Sequence, residues 1–310
     1  MKGVVVKNTG SWYEVLSDGG TIVPCKIKGN FRLRGIRSTN PIAVGDHVAY
    51  ILNTEGTAFI SEIEDRRNYI IRRASNLSKQ SHILAANLDQ VVLVITLKHP
   101  ETSTTFIDRF LASAEAYRIP AILMFNKSDL LDDEDLKRVE ELMHLYQAMG
   151  YTCLLTSVQQ ATGLSTLPQL LQGKVNLIAG HSGVGKSALL NFLIPGLNTR
   201  TAPISAAHDA GMHTTTFSQM FQLPFGGVAI DIPGVKGFGT FDFDKHEVSH
   251  FFREIFQTGL ECRYSDCMHL GEPHCAVREA VEEGIIAKSR YASYLSMLGD
   301  QDESKYREAY

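Results

Sequence analysis

The pattern of apolar and polar positions divides the chain into three stretches with different periods. From residue 1 to about 72, apolar positions come in short β-prone runs at 4–6, 12–16, 21–23, 31–34, 47–51 and 58–60. Gly10, residues 18–20, 29–30 and 41–46 supply turns between them. Many short strands with glycine-rich turns predict a small closed β domain, and a five-stranded OB-type barrel fits the size. From 73 to 244 the pattern changes. Runs suited to buried strands at 89–97, 120–125, 151–155, 175–178 and 227–230 alternate with helical spacing at 106–117 and 132–149. Such alternation predicts a parallel sheet covered on both faces. From 245 to 310, helical spacing at 248–256 and 275–298 precedes a charged tail, 299–310, expected to fray. The expected fold class is therefore multidomain: an all-β barrel (1–72), a central α/β domain (73–244) and a mostly helical C-terminal domain (245–310).

Arg66–Arg67 and Arg72–Arg73 bracket residues 68–71, and 74–80 is polar. This stretch reads as a basic inter-domain linker, either a solvated connector or a phosphate contact. In the barrel, Lys26, Lys28, Arg32, Arg34 and Arg37 surround Phe31. They read equally as an RNA-facing patch or a solvated sheet face.

With 310 residues, the chain is long enough for two or three domains and a real core. A 44% hydrophobic and 21% charged composition is that of an ordinary globular protein. A formal net charge of −4 excludes a global basic field, so any nucleic-acid binding must be local. No run of 18 apolar residues occurs, and the opening MKGVVVKNTG is too short and polar for a signal peptide. The expectation is a cytoplasmic protein without membrane contact, and a monomer.

The strongest chemical signal is residues 174–190, KVNLIAGHSGVGKSALL: strand, glycine-rich loop, helix start. Gly180, Gly185, Lys186 and Ser187 fit G-x-x-x-x-G-K-[ST], a P-loop. Backbone N–H groups of Ser182, Gly183, Val184 and Gly185, with Ala188 in the first helical turn, converge on phosphate oxygens, and the helix N-terminus adds partial positive charge. Lys186 reaches the β- and γ-phosphates, and the Ser187 hydroxyl ligates Mg²⁺.

A second signal, Asn126-Lys127-Ser128-Asp129, closes a strand at the end where ligands sit in open α/β sheets. The Asp129 carboxylate can accept from guanine N1–H and the 2-amino group, donors that adenine lacks at those positions. Lys127 can lie over the base, and Asn126 can brace neighbouring loops. Ser157 and Val158 fall where loop backbone would meet the guanine O6. After the P-loop come GMHTTT at 211–216 and Asp231-Ile232-Pro233-Gly234. In the second, Asp231 holds Mg²⁺ through water and the Gly234 N–H meets the γ-phosphate. One threonine of 214–216 completes the Mg²⁺ shell. Thr215 is the one carried forward, although spacing alone does not choose among the three. Residues 195–211 read as a mobile switch.

All parts of a GTPase are thus present in rotated order, with base recognition first, then the P-loop, then the switches. A parallel sheet tolerates such rotation if the original termini lie close together. The residue after Gly234 is Val235, where Ras-like enzymes place the glutamine that orients water. Intrinsic hydrolysis should therefore be slow. His213, beside the switch threonines, is the candidate catalytic residue, set against an ordinary surface histidine.

Cys262-x4-Cys267-x-His269-x5-Cys275 offers three sulfurs and an imidazole, a Cys₃His set typical of closed structural Zn²⁺ sites. His274 is an alternative imidazole. Cys25 and Cys153 lie in β-prone runs and read as buried thiols.

This order of NKSD, GHSGVGKS, GMHTTT and DIPG, followed by the Cys-Cys-His-Cys spacing, resembles the circularly permuted ribosome-assembly GTPases of the RsgA (YjeQ) family. The opening GVVVKNTGSWYEV resembles that family's OB domain. The resemblance covers essentially the whole chain. It implies hydrolysis of GTP to GDP, stimulated by the 30S subunit and its 16S rRNA during late maturation. It also implies one structural Zn²⁺ held by Cys262, Cys267, His269 and Cys275, and catalysis by His213, which matches the histidine of the family's G-R-H-T-T-T motif. Two departures are Met212, where the family usually has arginine, and Val158, where alanine is common. Two rival readings are an RNA-binding module with a structural nucleotide site, and a general translation GTPase acting on the whole ribosome.

Overall fold

The computed structural model describes residues 1–27, 41–53, 57–73, 81–197, 217–232 and 244–306. The first stretch forms β1 Lys2–Asn8, β2 Tyr13–Ser17, β3 Ile22–Ile27, β4 His47–Leu52 and β5 Ala58–Ile63. The strand order β1-β2-β3-β5-β4 closes on itself through a β1–β4 pairing. β3 and β5 run parallel, and the other neighbours are antiparallel. This is the five-stranded barrel expected from the alternating runs. Val5, Tyr13, Val15, Cys25, Val48, Tyr50, Ala58 and Ile60 point inward and fill it. The expected strand at 31–34, and Lys28, Arg32, Arg34 and Arg37 of the basic cluster, lie outside the described residues.

The described part of the stretch expected to be a linker, residues 66–73, is structured, and 74–80 lie outside the described residues. β6 Tyr69–Arg73 and β7 Ser81–Ala86 pair as a separate antiparallel sheet. Arg66 faces inward rather than toward solvent or phosphate. Its guanidinium donates to both oxygens of the fully buried Asp46 at 2.6 and 2.7 Å and to the Pro41 carbonyl at 2.6 Å. Arg67 pairs with Asp89 at 2.8 Å. Arg66 thus fastens the barrel's exit to the barrel itself, and Arg67 ties it to the start of the domain that follows.

That domain is built on β8 Gln90–Ile95, β9 Ala121–Phe125, β10 Thr152–Leu155, β11 Val175–Ala179, β12 Ser218–Gln222 and β13 Val228–Asp231. Their order is β10-β9-β8-β11-β13-β12, parallel except for β12. Successive residues of β8 serve opposite faces. Val91, Leu93 and Ile95 pack under α1 Thr104–Ala116 and α2 Asp133–Ala148, whereas Val92 and Val94 pack under α3 Leu167–Leu171 and α4 Lys186–Leu193. Two-sided burial is why these strands read as unbroken apolar runs. Renumbered from β11, the order becomes 2-3-1-4-5-6, with the junction of the rotated chain between β10 and β11. The barrel continues this sheet, because β1 pairs with the edge strand β12 at Lys7↔Gln219 and Asn8↔Ser218.

The C-terminal part contains a 3₁₀ turn at Val248–Phe251, α5 Arg253–Gly259, α6 Ala276–Glu282 and α7 Lys288–Tyr306. The run of helical spacing at 275–298 is interrupted at Gly284, whose φ of +78° no helix tolerates. α7 then continues to Tyr306, into the tail expected to fray. Val248, Phe252, Ile255, Val277, Tyr294 and Met297 form a core that also takes in Ala112 of α1. Beside it, Arg290 of α7 is 1% exposed. It donates to Asp108 of α1 at 2.9 Å and to both oxygens of Glu254 of α5 at 2.6 and 3.0 Å. Tyr146 and Ser293 donate to the same Asp108 carboxylate at 2.8 and 2.6 Å. Every charge in this contact is hydrogen-bonded, the condition under which buried ions are tolerated.

Candidate functional site

β11 ends at Ala179 and α4 starts at Lys186, leaving residues 180–185 as the P-loop. Two of its glycines are dictated by space. A Cβ on Gly180 (φ +140°) would lie 2.4 Å from the Val94 carbonyl oxygen. One on Gly185 (φ +106°) would lie 2.5 Å from Asn126 Nδ2. Val184 is buried in the core beneath α4. Ser182 and Gly183 complete the loop, and Ser187 and Ala188 lie in the first turn of α4. The Lys186 ammonium donates to the Gly180 and His181 carbonyls, both at 2.8 Å. Burial lowers its pKa to about 8, with the Asp231 carboxylate opposing the shift. The His181 ring lies against Phe106 of α1, with centroids 3.8 Å apart.

β9 delivers Asn126 directly beside this loop. Its side-chain N–H donates to the Val184 carbonyl at 2.9 Å. Its side-chain oxygen accepts from the Val158 N–H at 3.2 Å and the Thr156 hydroxyl at 3.3 Å. One buried amide therefore joins the P-loop to both base-side loops. Lys127 takes a left-handed conformation (φ +65°) and its ammonium donates to the His99 carbonyl. Burial lowers its pKa, with the Asp129 charge opposing. Asp129 sits on a one-turn 3₁₀ helix, Ser128–Leu130, and accepts a hydrogen bond from the Ser157 hydroxyl. That contact restrains one carboxylate oxygen and leaves the second to a ligand.

Asp231 closes β13, in register with Ile178 of β11, and is 3% exposed. The buried Asp231 carboxylate and the Ser187 hydroxyl at the start of α4 are both hard oxygen donors of the kind that suits Mg²⁺. Gly234, Val235, Met212, His213 and residues 214–216, including Thr215, lie outside the described residues. The structure thus gathers Asn126, Lys127, Asp129, Ser157, Val158 and the P-loop around one sheet edge. Sequence reading did not anticipate Thr156, the Ser157 hydroxyl contact or the His181–Phe106 stack. Only the position of Thr156 beside Ser157 hinted at any of them.

In the C-terminal part, the ligand atoms of Cys262, Cys267, His269 and Cys275 all lie within 4.8 Å of one another. Cys262 Sγ and Cys275 Sγ are 3.6 and 3.4 Å from His269 Nδ1 and 3.9 Å from each other. A tetrahedral zinc with bonds of about 2.0–2.3 Å has edges of roughly 3.5–3.8 Å, so the four groups can hold such an ion. His269, not His274, is the imidazole in this cluster. The loop is braced from outside. Tyr291 and Tyr294 of α7 donate to the His269 and Met268 carbonyls at 2.6 and 2.7 Å. Glu272 accepts from the Met268, Leu270 and Gly271 N–H groups at 2.8–2.9 Å. Burial alone would raise the Glu272 pKa, but these backbone donors outweigh it and hold the carboxyl at about 2.

A parallel sheet carrying a P-loop, an NKxD loop two strands away and a switch aspartate on the adjacent strand defines a circularly permuted P-loop GTPase, here with a barrel before it and a Cys₃His cluster after it. Comparison with known proteins agrees. The RsgA GTPase family model matches residues 63–241 and the RsgA N-terminal domain model matches residues 2–60. The small ribosomal subunit biogenesis GTPase RsgA of Bacteroides fragilis is 63% identical over 310 residues, spanning 100% of both chains. Its namesake in Porphyromonas gingivalis is 55% identical over 315 residues, again 100% of both. Crystal structures resemble it too. YjeQ from Thermotoga maritima has 36% identity and a TM-score of 0.74, covering 96% of this chain and 97% of that one. YloQ, described as a circularly permuted GTPase, has 29% identity and a TM-score of 0.70, covering 98% and 95%. The chain belongs to the RsgA family of GTPases and is a GTP hydrolase.

Proposed function

We propose that this GTPase acts on the small (30S) ribosomal subunit during its late maturation, in the cytoplasm and as a monomer, and that contact with the subunit and its 16S rRNA stimulates hydrolysis of GTP to GDP and phosphate. The observation carrying the nucleotide half is Asn126, which locks the P-loop to the loops that present Asp129 and Val158. The ribosomal half is supported by the full-length likeness to relatives named small ribosomal subunit biogenesis GTPases.

On this reading, residues 1–72 form an RNA-binding barrel, 73–244 the permuted GTPase and 245–310 the metal domain. Asp129 selects guanine, with Lys127 along the base and the Val158 backbone near O6. Gly180, residues 182–188 and Gly234 hold the phosphates. Ser187, Thr215 and Asp231 hold Mg²⁺, which supplies charge neutralisation at the phosphates when bound. Cys262, Cys267, His269 and Cys275 hold one structural Zn²⁺, which would order a loop with little apolar core of its own. The Val235 side chain has no polar atom with which to orient water, so His213 takes that role. The subunit would bring it into position.

GTP hydrolysis measured with and without purified small subunits tests this. A rise with 30S particles that exceeds the rise with 70S particles is expected. An unchanged rate defeats the ribosomal reading, and equal stimulation by 70S particles favours a general translation GTPase. A His213→Ala chain should lose the stimulated rate while keeping its GDP affinity.

A further inference from the structure

The connection from β8 to α1 belongs to none of the nucleotide-binding motifs, yet it is fastened to both lysines of the site. It is closed on itself by Thr96 and Thr102, both buried. The Thr102 N–H donates to the Thr96 carbonyl at 2.9 Å, and the Thr102 hydroxyl accepts from the Thr96 N–H at 3.2 Å. The Thr96 hydroxyl donates to the Pro100 carbonyl. This closure presents the His99 carbonyl, which accepts from the Lys127 ammonium. Beside it, Lys98 pairs with Asp132 at 3.3 Å and with Asp135, the two carboxylates that cap the start of α2. The N-K-x-D segment is therefore gripped at its lysine and again just past its end. Where the connection enters α1, the buried Phe106 lies against the His181 ring, with centroids 3.8 Å apart. The His181 carbonyl in turn accepts from the Lys186 ammonium at 2.8 Å.

A lysine stem is flexible, and the freedom it loses when a ligand fixes it weakens binding. Here each ammonium is already tied to a backbone carbonyl, and one connection steadies both carbonyls. His99 is held within the threonine closure, and His181 is held by its ring on Phe106. A neutral acceptor restrains an ammonium without cancelling its charge, so the charge stays available to the ligand. The two ends serve different parts of a guanine nucleotide. Lys127 belongs to the base side, and Lys186 to the β- and γ-phosphates. We propose that this connection is a positioning loop, in which Thr102 sets Lys127 for the guanine base and Phe106 sets Lys186 for the β-phosphate. Neither residue needs to touch the nucleotide. The Thr102 arm rests on the reading that Lys127 lies along the base.

Competition against a fluorescent GDP analogue gives the affinity of the full-length, metal-loaded protein for GDP and for GMP, which lacks the β-phosphate. Thr102→Val removes the acceptor of the Thr96 N–H at nearly constant size. It should weaken GDP and GMP by the same factor, about three- to tenfold. Thr102→Ser keeps the hydroxyl and should stay near wild type. Phe106→Leu takes the ring away from His181 and should weaken GDP by about three- to tenfold, with GMP nearly unchanged. His181→Ala should do the same, and the double variant should lose no more than either single one. Melting temperatures establish that each variant folds, and the GDP-to-GMP ratio separates positioning from a generally loosened site. Wild-type GDP affinity in Thr102→Val or Phe106→Leu, an equal loss in Thr102→Ser, or a Phe106→Leu loss shared equally by GMP overturns the positioning loop. Lys127→Met tests the reading beneath the Thr102 arm. If Lys127→Met weakens both nucleotides and Thr102→Val does not, only the loop falls. If Lys127→Met binds both like wild type, the base-side reading falls and takes the Thr102 arm with it, and the GDP-to-GMP ratio in Phe106→Leu decides the other arm.

Discussion

The Asn126 side-chain amide lies 2.9 Å from the Val184 carbonyl of the P-loop, and its oxygen holds the Val158 N–H at 3.2 Å. The P-loop and the loop carrying Val158 therefore share one buried hinge pin. Asn126→Ala leaves a buried carbonyl and N–H without that partner, at about 1–3 kcal/mol. GDP affinity should fall about tenfold or more, with a lower melting temperature. Calorimetric titration with GDP checks this, and wild-type affinity would contradict the bracing role.

Asp129 accepts from Ser157, which aims its carboxylate. Asp129→Asn replaces one acceptor oxygen with an amino group. Guanine nucleotides should bind more weakly and xanthine nucleotides better, because xanthine presents an oxygen where guanine has its amino group. The ratio of GDP to xanthosine diphosphate affinity is the readout. Ser157→Ala should shift affinity in the same direction for GDP alone, by less.

Burial holds Lys186 at about 8 in the nucleotide-free protein, and a bound phosphate raises that value by adding opposite charge. Below pH 8 the lysine is charged in both states and contributes no pH dependence. Above pH 8 the free protein has lost the proton and must regain it on binding, so affinity falls as pH rises, approaching tenfold per unit. Titrations with GDP at pH 7, 8 and 9 should show this fall together with proton uptake. Guanosine, which has the same base but no phosphate, serves as the control and should lack it.

Arg290→Ala would strand the Asp108 and Glu254 carboxylates at a buried contact, a loss of about 3–5 kcal/mol. Replacing all three charges together, with Arg290→Met, Asp108→Leu and Glu254→Leu, should lose far less. Urea unfolding of the wild type, Arg290→Ala and the triple variant decides between an ionic clamp and a contact made by shape alone.

The metal cluster predicts one zinc per chain. Burial pushes the Cys25 and Cys153 thiols up to about 11 and about 12. Neither should react quickly with a thiol reagent in the native fold. Chelation should therefore release the zinc and expose three fast thiols, Cys262, Cys267 and Cys275, with the other two appearing only on unfolding. If chelation adds no fast thiols, the cluster does not hold an ion.

Much of this site was legible from residue order because its parts are local. A P-loop is one strand end, one tight turn and one helix start. Its glycines are required by the approach of Val94 and Asn126, and so show up as a motif. The Cys₃His cluster fits within 14 residues for the same reason. The barrel's alternation and the two-sided burial of β8 were also visible, since side-chain period follows directly from strand geometry. The stretch at 66–80 was not. Its basic, polar composition suggested a connector, yet Arg66 is buried against Asp46, 20 positions away in sequence.

By itself the sequence determined the chemistry: which groups can take phosphate, guanine and a soft metal, and the rotated order in which the chain supplies them. Tertiary structure alone decided what those groups are fastened to. Only the fold joins β1 to β12, making barrel and GTPase one sheet of eleven strands. Only packing brings Arg290 to Asp108 across 182 residues and sets Tyr291 and Tyr294 under the metal loop. The physical reason is range. Motif chemistry is set by backbone geometry over a few residues, whereas partners on separate elements are chosen by how those elements bury their apolar faces, which no local pattern records.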